Sequence, residues 1–279
     1  MGKTLSPLRY PGGKSQLSKR VQRLIERNNW RDRIYVEPFA GGFGVGLYLL
    51  TNNIVDNAVM NDYDQHVFHF WTAALFHTDE LIELVRNTPI SLAERTIQKT
   101  RYLDPASTVL QDGFATLYLN RVNYSGVLFA GPIGGREQQS EYSIGCRFNR
   151  ENIIERIHVV GNLRKRIRLF NLDANDLITR ELARENEDCF YNIDPPYVLK
   201  GKSLYSEYFS EQEHRAFCDT VRLHMNGVPW IITYDNCALV REIYAGYNIY
   251  EYELFHSAHD RARGTELIIT NLENEEFEW

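Results

Sequence analysis

The residues best suited to chemistry form the tetrapeptide Asp194-Pro195-Pro196-Tyr197, which follows the apolar stretch 189–193. Proline lacks a backbone N–H and has a fixed φ angle, so the two prolines present their carbonyl groups in a rigid geometry. A carboxylate and a carbonyl that accept both N–H bonds of a planar aromatic amine turn its lone pair toward an electrophile, and the carboxylate stabilises the positive charge that develops. Tyr197 offers an aromatic face for a base, and such stacking is worth about 1–3 kcal/mol. The tetrapeptide predicts group transfer to an exocyclic amine; a plain Pro-Pro turn is the alternative.

A glycine-rich turn, Gly41-Gly42-Phe43-Gly44, follows a predicted strand at 34–39. Glycine has no Cβ, so the backbone of such a turn can approach a ligand closely. Asp62 ends the next predicted strand about 20 residues later, where a carboxylate accepts hydrogen bonds from ribose hydroxyls in nucleotide-binding folds. The pair indicates a nucleoside-containing cofactor without saying which one; a tight turn with a capping aspartate is the alternative.

These residues need a sheet to hold them, and the hydrophobic pattern predicts one. A helix at 15–28 precedes strands at 34–39 and 58–62. Later strands follow at 168–173, 189–194 and 230–234, with a helix from 173 to about 185 and a terminal hairpin of 250–255 with 266–272. Strand, glycine turn, helix, strand and acid in this order is typical of α/β nucleotide-binding folds. We therefore predict an α/β fold with a Rossmann-like, mostly parallel, doubly wound sheet and a reversed terminal hairpin.

The alternation of strands and helices stops in the middle of the chain. Helical patterns occupy 66–77, 79–87, 92–103 and 107–120, and a loop rich in glycine and glutamine follows at 131–140. We predict a catalytic domain formed by 1–70 and 166–279, interrupted by a helical subdomain at 71–165.

Composition excludes several classes of protein. The 279 residues are 43% hydrophobic and 24% charged, which excludes a disordered chain. No apolar run reaches about 18 residues and none opens the chain, so we expect no membrane span, no signal peptide and a cytoplasmic location. The four cysteines form no Cys-x-x-Cys pair, which argues against a zinc ribbon. His66 and His69 could share a metal ion on one helix face, but no third ligand is evident nearby, so we predict no metal site.

Charge is unevenly distributed around a net charge of −6. Residues 1–33 hold nine lysines and arginines against two acids, and 147–168 hold seven against two. Residues 235–279 hold ten acids against three arginines. The basic stretches could face a polyanion on one side of the molecule, but two solvated helix faces would have the same composition, so charge alone does not identify a partner.

Other motifs accompany the tetrapeptide and bring a family into view. Asp194-Pro195-Pro196-Tyr197 resembles the catalytic motif of S-adenosylmethionine-dependent amino methyltransferases, and the order of all the motifs resembles that of the Dam-type (D12 class) DNA adenine-N6 methyltransferases. Three motifs of that family have counterparts here. Its N-terminal motif resembles Leu8-Arg9-Tyr10-Pro11-Gly12-Gly13-Lys14, and its cofactor loop resembles Glu37-Pro38-Phe39-Ala40-Gly41-Gly42. Its ribose-binding acid resembles Asn61-Asp62. The resemblance extends over essentially the whole chain.

The resemblance implies a site-specific enzyme that transfers the methyl group of S-adenosylmethionine to N6 of an adenine flipped out of double-stranded DNA. It implies that Asp194 and the Pro195 carbonyl hold N6, next to Pro196, while Tyr197 stacks on the adenine. It also implies that the cofactor is bound by Tyr10, Lys14, Glu37, Phe39, Gly41, Asp62, Asp173 and Asp194. Of these, Asp62 would bind the ribose and Asp173 would lie near the cofactor's adenine. This chemistry requires no metal.

The segment Asn120-Arg121-Val122-Asn123-Tyr124-Ser125-Gly126 resembles the start of the family's recognition hairpin, which implies DNA contacts from Asn120, Arg121, Tyr124 and Ser125. Tyr124 would enter the duplex where the adenine leaves the stack, which offsets a flipping cost of a few kcal/mol; a core aromatic is the alternative. Arg147 matches a family position that touches the DNA backbone. Residues 130–135 depart from the basic hairpin of the best-known members, so the resemblance does not extend to recognition of the sequence GATC.

Three alternatives stay open from the sequence. The first is the same chemistry on another amine: cytosine N4, an RNA adenine or a glutamine side chain. The second is a P-loop hydrolase, suggested by Gly13-Lys14-Ser15, but Leu8 stands where that loop requires glycine. The third is a catalytically inactive DNA-binding module. We expect double-stranded DNA as the partner, no membrane, a monomer, and a cognate restriction endonuclease as a candidate partner.

Overall fold

Seven strands form one sheet in the computed structural model, which describes residues 5–9, 17–199, 209–253 and 265–273. The strands are β1 Ile34–Glu37, β2 Ala58–Asn61, β3 Ile167–Phe170, β4 Cys189–Ile193, β5 Trp230–Asp235, β6 Asn248–Glu253 and β7 Thr265–Thr270. Their order is β3-β2-β1-β4-β5-β7-β6. Neighbours among β1 to β5 are parallel, whereas β7 runs antiparallel to β5 and β6. The predicted α/β fold with a reversed terminal hairpin is confirmed.

The central strands are largely apolar because the sheet is covered on both faces. Every residue of β2, β4 and β5 is buried. Parallel strands covered on both sides are expected to have such continuous apolar sequences. Neighbouring residues of β1 face different cores: Tyr35 packs with one apolar cluster and Val36 with the other.

Besides short helical turns, the described residues form nine helices, and two of the longer ones begin with a complete capping box. The helices are α1 Ser18–Arg27, α2 Gly44–Thr51, α3 Gln65–Phe76, α4 Thr78–Asn87, α5 Leu92–Leu103, α6 Val109–Val122, α7 Arg150–Asn162, α8 Glu211–His224 and α9 Ala238–Ile243. Thr108 with Gln111 caps α6, and Ser210 with Glu213 caps α8. Each such cap stabilises its helix by about 1 kcal/mol.

The helices of the predicted insertion complete the core on one face of the sheet. Apolar residues of α3, α4, α6 and α7 join those of α1 and α2 in one cluster with Tyr35 and Met60. Helix α6 lies against α3 at Gly113, where an added Cβ would stand 2.6 Å from the His69 carbonyl oxygen. These helices are therefore packed into the same core as the sheet.

One predicted element is wrong in its extent. The helix expected from 173 to about 185 consists of one turn at Ala174–Asp176 followed by a wider turn at Leu177–Glu181. Leu182 N–H bonds the Leu177 carbonyl at 2.9 Å, which ends the helical run with both side chains buried. The next residues lead into β4, held by Asn186, which accepts from the Tyr191 hydroxyl and donates to the His224 carbonyl.

Within the ranges that the structure describes, no helix combines the length and apolar character that crossing a membrane would require.

Candidate active site

Acidic residues stand at the carboxyl ends of four adjacent strands. Glu37 ends β1, Asp62 follows β2, Asp173 follows β3 and Asp194 follows β4. The chain order of the sheet reverses between β1 and β4. In open α/β sheets, ligands bind in the crevice outside the carboxyl ends of the strands at this switch point. The geometry therefore places Glu37 and Asp194 at the position where a ligand is expected.

The turn after β1 is clamped to Asp62. Gly41 has a φ angle of +46°, in the left-handed region that favours glycine, and its N–H donates to Asp62 Oδ2 at 2.7 Å. Its carbonyl accepts the indole N–H of Trp71 at 2.9 Å. Asn61 binds the neighbouring loops, because its Nδ2 donates to the carbonyls of Pro38 and Leu172. The turns after β1, β2 and β3 thus form one rigid floor.

Asp62 retains the capacity to bind a ligand although it is buried. Its Oδ2 accepts from Gly41 and its Oδ1 accepts the N–H of Asp64 at 3.0 Å. An ionised carboxylate has about four acceptor positions, so ligand hydroxyls can be accommodated beside these two bonds. Burial, and then the negative charge of Asp64, raises the pKa of Asp62 to about 7.

Glu37 is bound into a buried network beneath the crevice. The Tyr35 hydroxyl donates to Glu37 Oε1 at 2.8 Å and accepts from Asn192 Nδ2 at 2.7 Å, while Gly46 N–H donates to the same Oε1 at 2.9 Å. Burial raises the pKa of Glu37 to about 8, and the charge of Asp194 acts in the same direction. A cation in the crevice would favour the ionised form of both carboxylates.

The side chain of Asp194 is oriented from the neighbouring strand. The hydroxyl of Thr233, which is buried in β5, donates to Asp194 Oδ1 at 2.6 Å. Pro195 is buried and Pro196 half-buried, and no peptide bond is cis in the described ranges. The backbone beyond the tetrapeptide is fixed by Asp235, whose two oxygens accept the N–H groups of Val198 and Leu199 at 3.0 and 2.6 Å.

Tyr197 is anchored by its hydroxyl. It donates to Glu266 Oε2 at 2.7 Å, and the Tyr252 hydroxyl donates to the same oxygen at 2.6 Å. Glu266 is buried at the start of β7, so it ties the tetrapeptide to the terminal hairpin. Only 6% of Tyr197 is exposed. Burial raises the pKa of the Tyr197 hydroxyl, and the charges of Asp194 and Glu266 add to the effect, so this hydroxyl stays protonated.

Phe39 and Asp173, two of the predicted cofactor-binding residues, have different surroundings. Phe39 is half-buried and meets the rings of Phe209 and Phe217 edge-on, with centroids 5.7 and 5.3 Å away. Asp173 caps the short helical turn after β3 by accepting the N–H of Asn175 at 2.8 Å. Tyr10 and Lys14 lie outside the described residues.

Asn120 and Arg121 point inward. Asn120 is 3% exposed and bonds the backbone of Arg9 and Gly126. Arg121 is 7% exposed and donates to the Pro7 carbonyl, and its Nε is buried without a hydrogen-bond partner. In this structure both side chains hold the N-terminal segment by bonding the backbone of residues 7–9. Their contact with DNA stays a prediction.

Tyr124, Ser125 and Arg147 have exposed side chains. Tyr124 is 70% exposed, and the structure therefore does not place it in the core. Ser125 has a φ angle of +54°, which turns the chain sharply between Tyr124 and Gly126. The Tyr124 N–H bonds the Gly131 carbonyl at 2.9 Å and closes the loop that carries the exposed ring. Arg147 lies on the same insertion.

The histidine pair noted in the sequence is engaged by an aspartate of α6. The Nδ1 atoms of His66 and His69 lie 2.8 and 2.7 Å from Asp112 oxygens, and His66 stacks on Tyr102 with ring centroids 3.8 Å apart. Across the described part of the chain, no group of three acidic, histidine or cysteine side chains is arranged to hold a metal ion.

Sequence reasoning missed Thr233, Glu266 and Asn192, and it gave Asn61 no structural role. Thr233 and Glu266 bond Asp194 and Tyr197 from other strands, and Asn192 donates to the Tyr35 hydroxyl, which in turn bonds Glu37. A polar residue inside an otherwise apolar strand was the available signal: Thr233 follows Trp230-Ile231-Ile232, and Glu266 precedes Leu267-Ile268-Ile269. The strand order needed to identify their partners could not be inferred from such a position alone.

Comparison with known proteins identifies a family whose model matches most of the chain. Residues 10–257 match the model of the D12 class N6 adenine-specific DNA methyltransferase family. No curated protein matches. Among solved structures, an uncharacterized protein from Listeria monocytogenes serotype 4b is similar at 8% identity and a TM-score of 0.39, over 92% of this chain and 70% of that chain.

Proposed function

The chain belongs to the D12 class N6 adenine-specific DNA methyltransferase family, and on that basis we propose that it methylates N6 of adenine within a specific sequence of double-stranded DNA, using S-adenosylmethionine. The observation that carries the proposal is the setting of Asp194. Thr233 orients its carboxylate at the switch point of the sheet, and the buried Pro195 follows it. An oriented carboxylate next to a rigid carbonyl is the arrangement that an exocyclic amine requires.

The cofactor would lie across the floor formed by the turns after β1, β2 and β3. Asp62 would accept the ribose hydroxyls, Gly41 would admit the cofactor close to the backbone, and Phe39 and Asp173 would border its ends. Glu37 and Asp194 would lie on the side of the positive charge. Tyr10 and Lys14 belong to the same proposal through their sequence motif.

When bound, S-adenosylmethionine supplies an electrophilic methyl group on a sulfonium. Asp194 and the Pro195 carbonyl would each accept one N–H of adenine N6, so that the nitrogen lone pair points at the methyl carbon. The N6 lone pair would form the new N–C bond as the methyl–sulfur bond breaks, and the electron pair of the broken bond would stay on sulfur. N6 would then carry one proton too many, which would pass to the Asp194 carboxylate or to water. Tyr197, held by Glu266, would limit the positions available to the adenine ring.

Recognition of DNA is assigned to the insertion at 71–165. Its exposed Tyr124, on a tight turn with Ser125, is suited to enter the space that the adenine leaves, and Arg147 is suited to a backbone phosphate. Asn120 and Arg121 would support this surface from inside. We further propose that the enzyme acts as a monomer and that a restriction endonuclease of the same specificity is a candidate partner.

The product identifies the reaction. Unmethylated genomic DNA incubated with the protein and S-adenosylmethionine would be digested to nucleosides and analysed by mass spectrometry. The proposal expects N6-methyldeoxyadenosine. N4-methylcytosine as the sole product, or labelling of RNA or protein in place of DNA, would assign the same chemistry to another amine and overturn the proposed substrate.

A further inference from the structure

Asn120 joins two parts of the protein with separate proposed tasks. Its Oδ1 accepts the backbone N–H of Arg9 at 2.7 Å, and its Nδ2 donates to the carbonyl oxygens of Arg9 and Gly126, both at 2.9 Å. The side chain is buried at the end of α6. One amide thus satisfies both backbone groups of Arg9 and one group of the recognition turn.

The contact between the two parts is direct. Gly126 has a φ angle of +79°, and a Cβ on it would stand 2.4 Å from the Arg9 carbonyl oxygen. No residue with a side chain fits there without displacing one of the two segments. Asn120 therefore fixes the spacing of two backbones already in contact.

Neighbouring arginines hold the same N-terminal segment. Arg121 of α6 donates to the Pro7 carbonyl, and Arg156 of α7 donates to the Ser6 carbonyl at 2.8 Å. Residues 6–9 are therefore held by side chains of the insertion. Arg9 leads directly into the motif Tyr10 to Lys14, and Gly126 follows Tyr124 by two positions.

We propose that Asn120 couples cofactor binding to DNA binding, as a positioning residue that keeps the N-terminal segment and the Tyr124 turn in one arrangement. The inference rests on the proposed function, which assigns cofactor contacts to Tyr10 and Lys14, directly after residues 6–9, and DNA contacts to Tyr124 and Ser125. A ligand that restrains either segment would restrain the other through the shared amide. Because coupling between two ligands is reciprocal, each must raise the affinity for the other by the same factor.

The chain offers a matched pair of variants. Asn120→Asp keeps the shape and the acceptor for Arg9 N–H but removes both donors and sets a carboxylate oxygen against two carbonyls. Asn123→Asp makes the same change three positions later on a buried side chain. Its Nδ2 donates to the Leu128 and Val127 carbonyls and its Oδ1 accepts from Arg95, so it supports the same loop through bonds that do not involve Arg9.

The experiment titrates a labelled duplex with the full-length protein, with and without S-adenosylhomocysteine. The duplex carries the sequence that the wild type methylates, or pooled genomic fragments if none is methylated. We expect the compound to lower the DNA Kd of the wild type by at least about fivefold. Asn123→Asp should keep this factor even where its DNA Kd rises. Asn120→Asp should reduce the factor to between one and about two, because neighbouring contacts leave some residual coupling.

A wild-type factor of one, or an unchanged factor in Asn120→Asp, would overturn the inference. If circular dichroism shows that Asn120→Asp is unfolded, Gly126→Ala separates the same two segments and takes its place, with the same expected loss. Binding ratios do not require turnover. Retained coupling without adenine methylation would therefore contradict the proposed function alone, and methylation without coupling would contradict this inference alone.

Discussion

The Thr233 hydroxyl donates to Asp194 Oδ1 across 2.6 Å, from the strand adjacent to the one that Asp194 follows. Thr233 is fully buried, and its β-branched side chain has restricted χ1 rotation, so the donor is fixed in place. The bond holds the plane of the carboxylate on which the proposed binding of adenine N6 depends.

Thr233→Val should therefore slow methyl transfer even at saturating S-adenosylmethionine. Valine has nearly the same shape but removes the donor, and a hydrogen bond to a charged group contributes roughly 1.5–3 kcal/mol. We expect the single-turnover rate to fall about 10- to 150-fold, with Thr233→Ser as the control that restores most of it. An unchanged rate in Thr233→Val would contradict the positioning role.

Asp194→Ala should remove nearly all methyl transfer to DNA. The substitution takes away both the acceptor for N6–H and the negative charge that stabilises the developing positive charge on nitrogen. Loss of one such electrostatic group costs about 10²–10³-fold in kcat. Rates would be measured at saturating S-adenosylmethionine, so that a weakened cofactor site does not mimic the effect. Full activity would exclude the mechanism proposed above.

The sequence was sufficient to predict the acids but not what holds them. Asp62 and Asp194 each end an apolar strand, and parallel strands end at one edge, so their convergence follows from local pattern. Thr233 and Glu266 lie 39 and 69 positions from Asp194 and Tyr197, so their pairing depends on strand order. Asn120 and Arg121 were expected to contact DNA because residues 120–126 resemble the start of the family's recognition hairpin, and that resemblance does not show which side chains are buried. In fact α6 is buried around its whole circumference at that end, which turns both side chains toward residues 7–9.

The free energy of unfolding should fall as pH rises in the absence of cofactor, partly because of Glu37. Burial raises the pKa of this group from 4.5 to about 8, so between these values the folded protein holds a proton that the unfolded chain has lost. Stability therefore declines through that window and levels off above about pH 8. Asp62 acts in the same direction up to about pH 7.

Urea unfolding of the wild type and Glu37→Gln at about pH 5 and about pH 8 would measure this contribution. Between these two pH values, the free energy of unfolding should fall less for Glu37→Gln than for the wild type. The control Glu181→Gln, at an exposed position, should show the same fall as the wild type. Identical losses in the wild type and Glu37→Gln would show that Glu37 is already ionised in the folded protein.

Tyr124→Ala should reduce activity on DNA without affecting the fold. The ring is 70% exposed, so its removal should change the free energy of unfolding by less than about 0.5 kcal/mol. Stacking on bases is worth about 1–3 kcal/mol, which predicts a fall in kcat/KM for DNA of about 5- to 150-fold. Tyr124→Phe keeps the ring and should stay close to the wild type. Equal kcat/KM for the wild type and Tyr124→Ala would place the DNA contact elsewhere.

The central claim is that this site methylates adenine N6 in DNA. Its most direct test is transfer of a tritiated methyl group from S-adenosylmethionine to unmethylated genomic DNA, followed by single-molecule sequencing of the product. We expect incorporation of label and methylated adenines confined to one short sequence, both absent with Asp194→Ala. Intact cofactor binding with no label in DNA, or label that persists in Asp194→Ala, would contradict it.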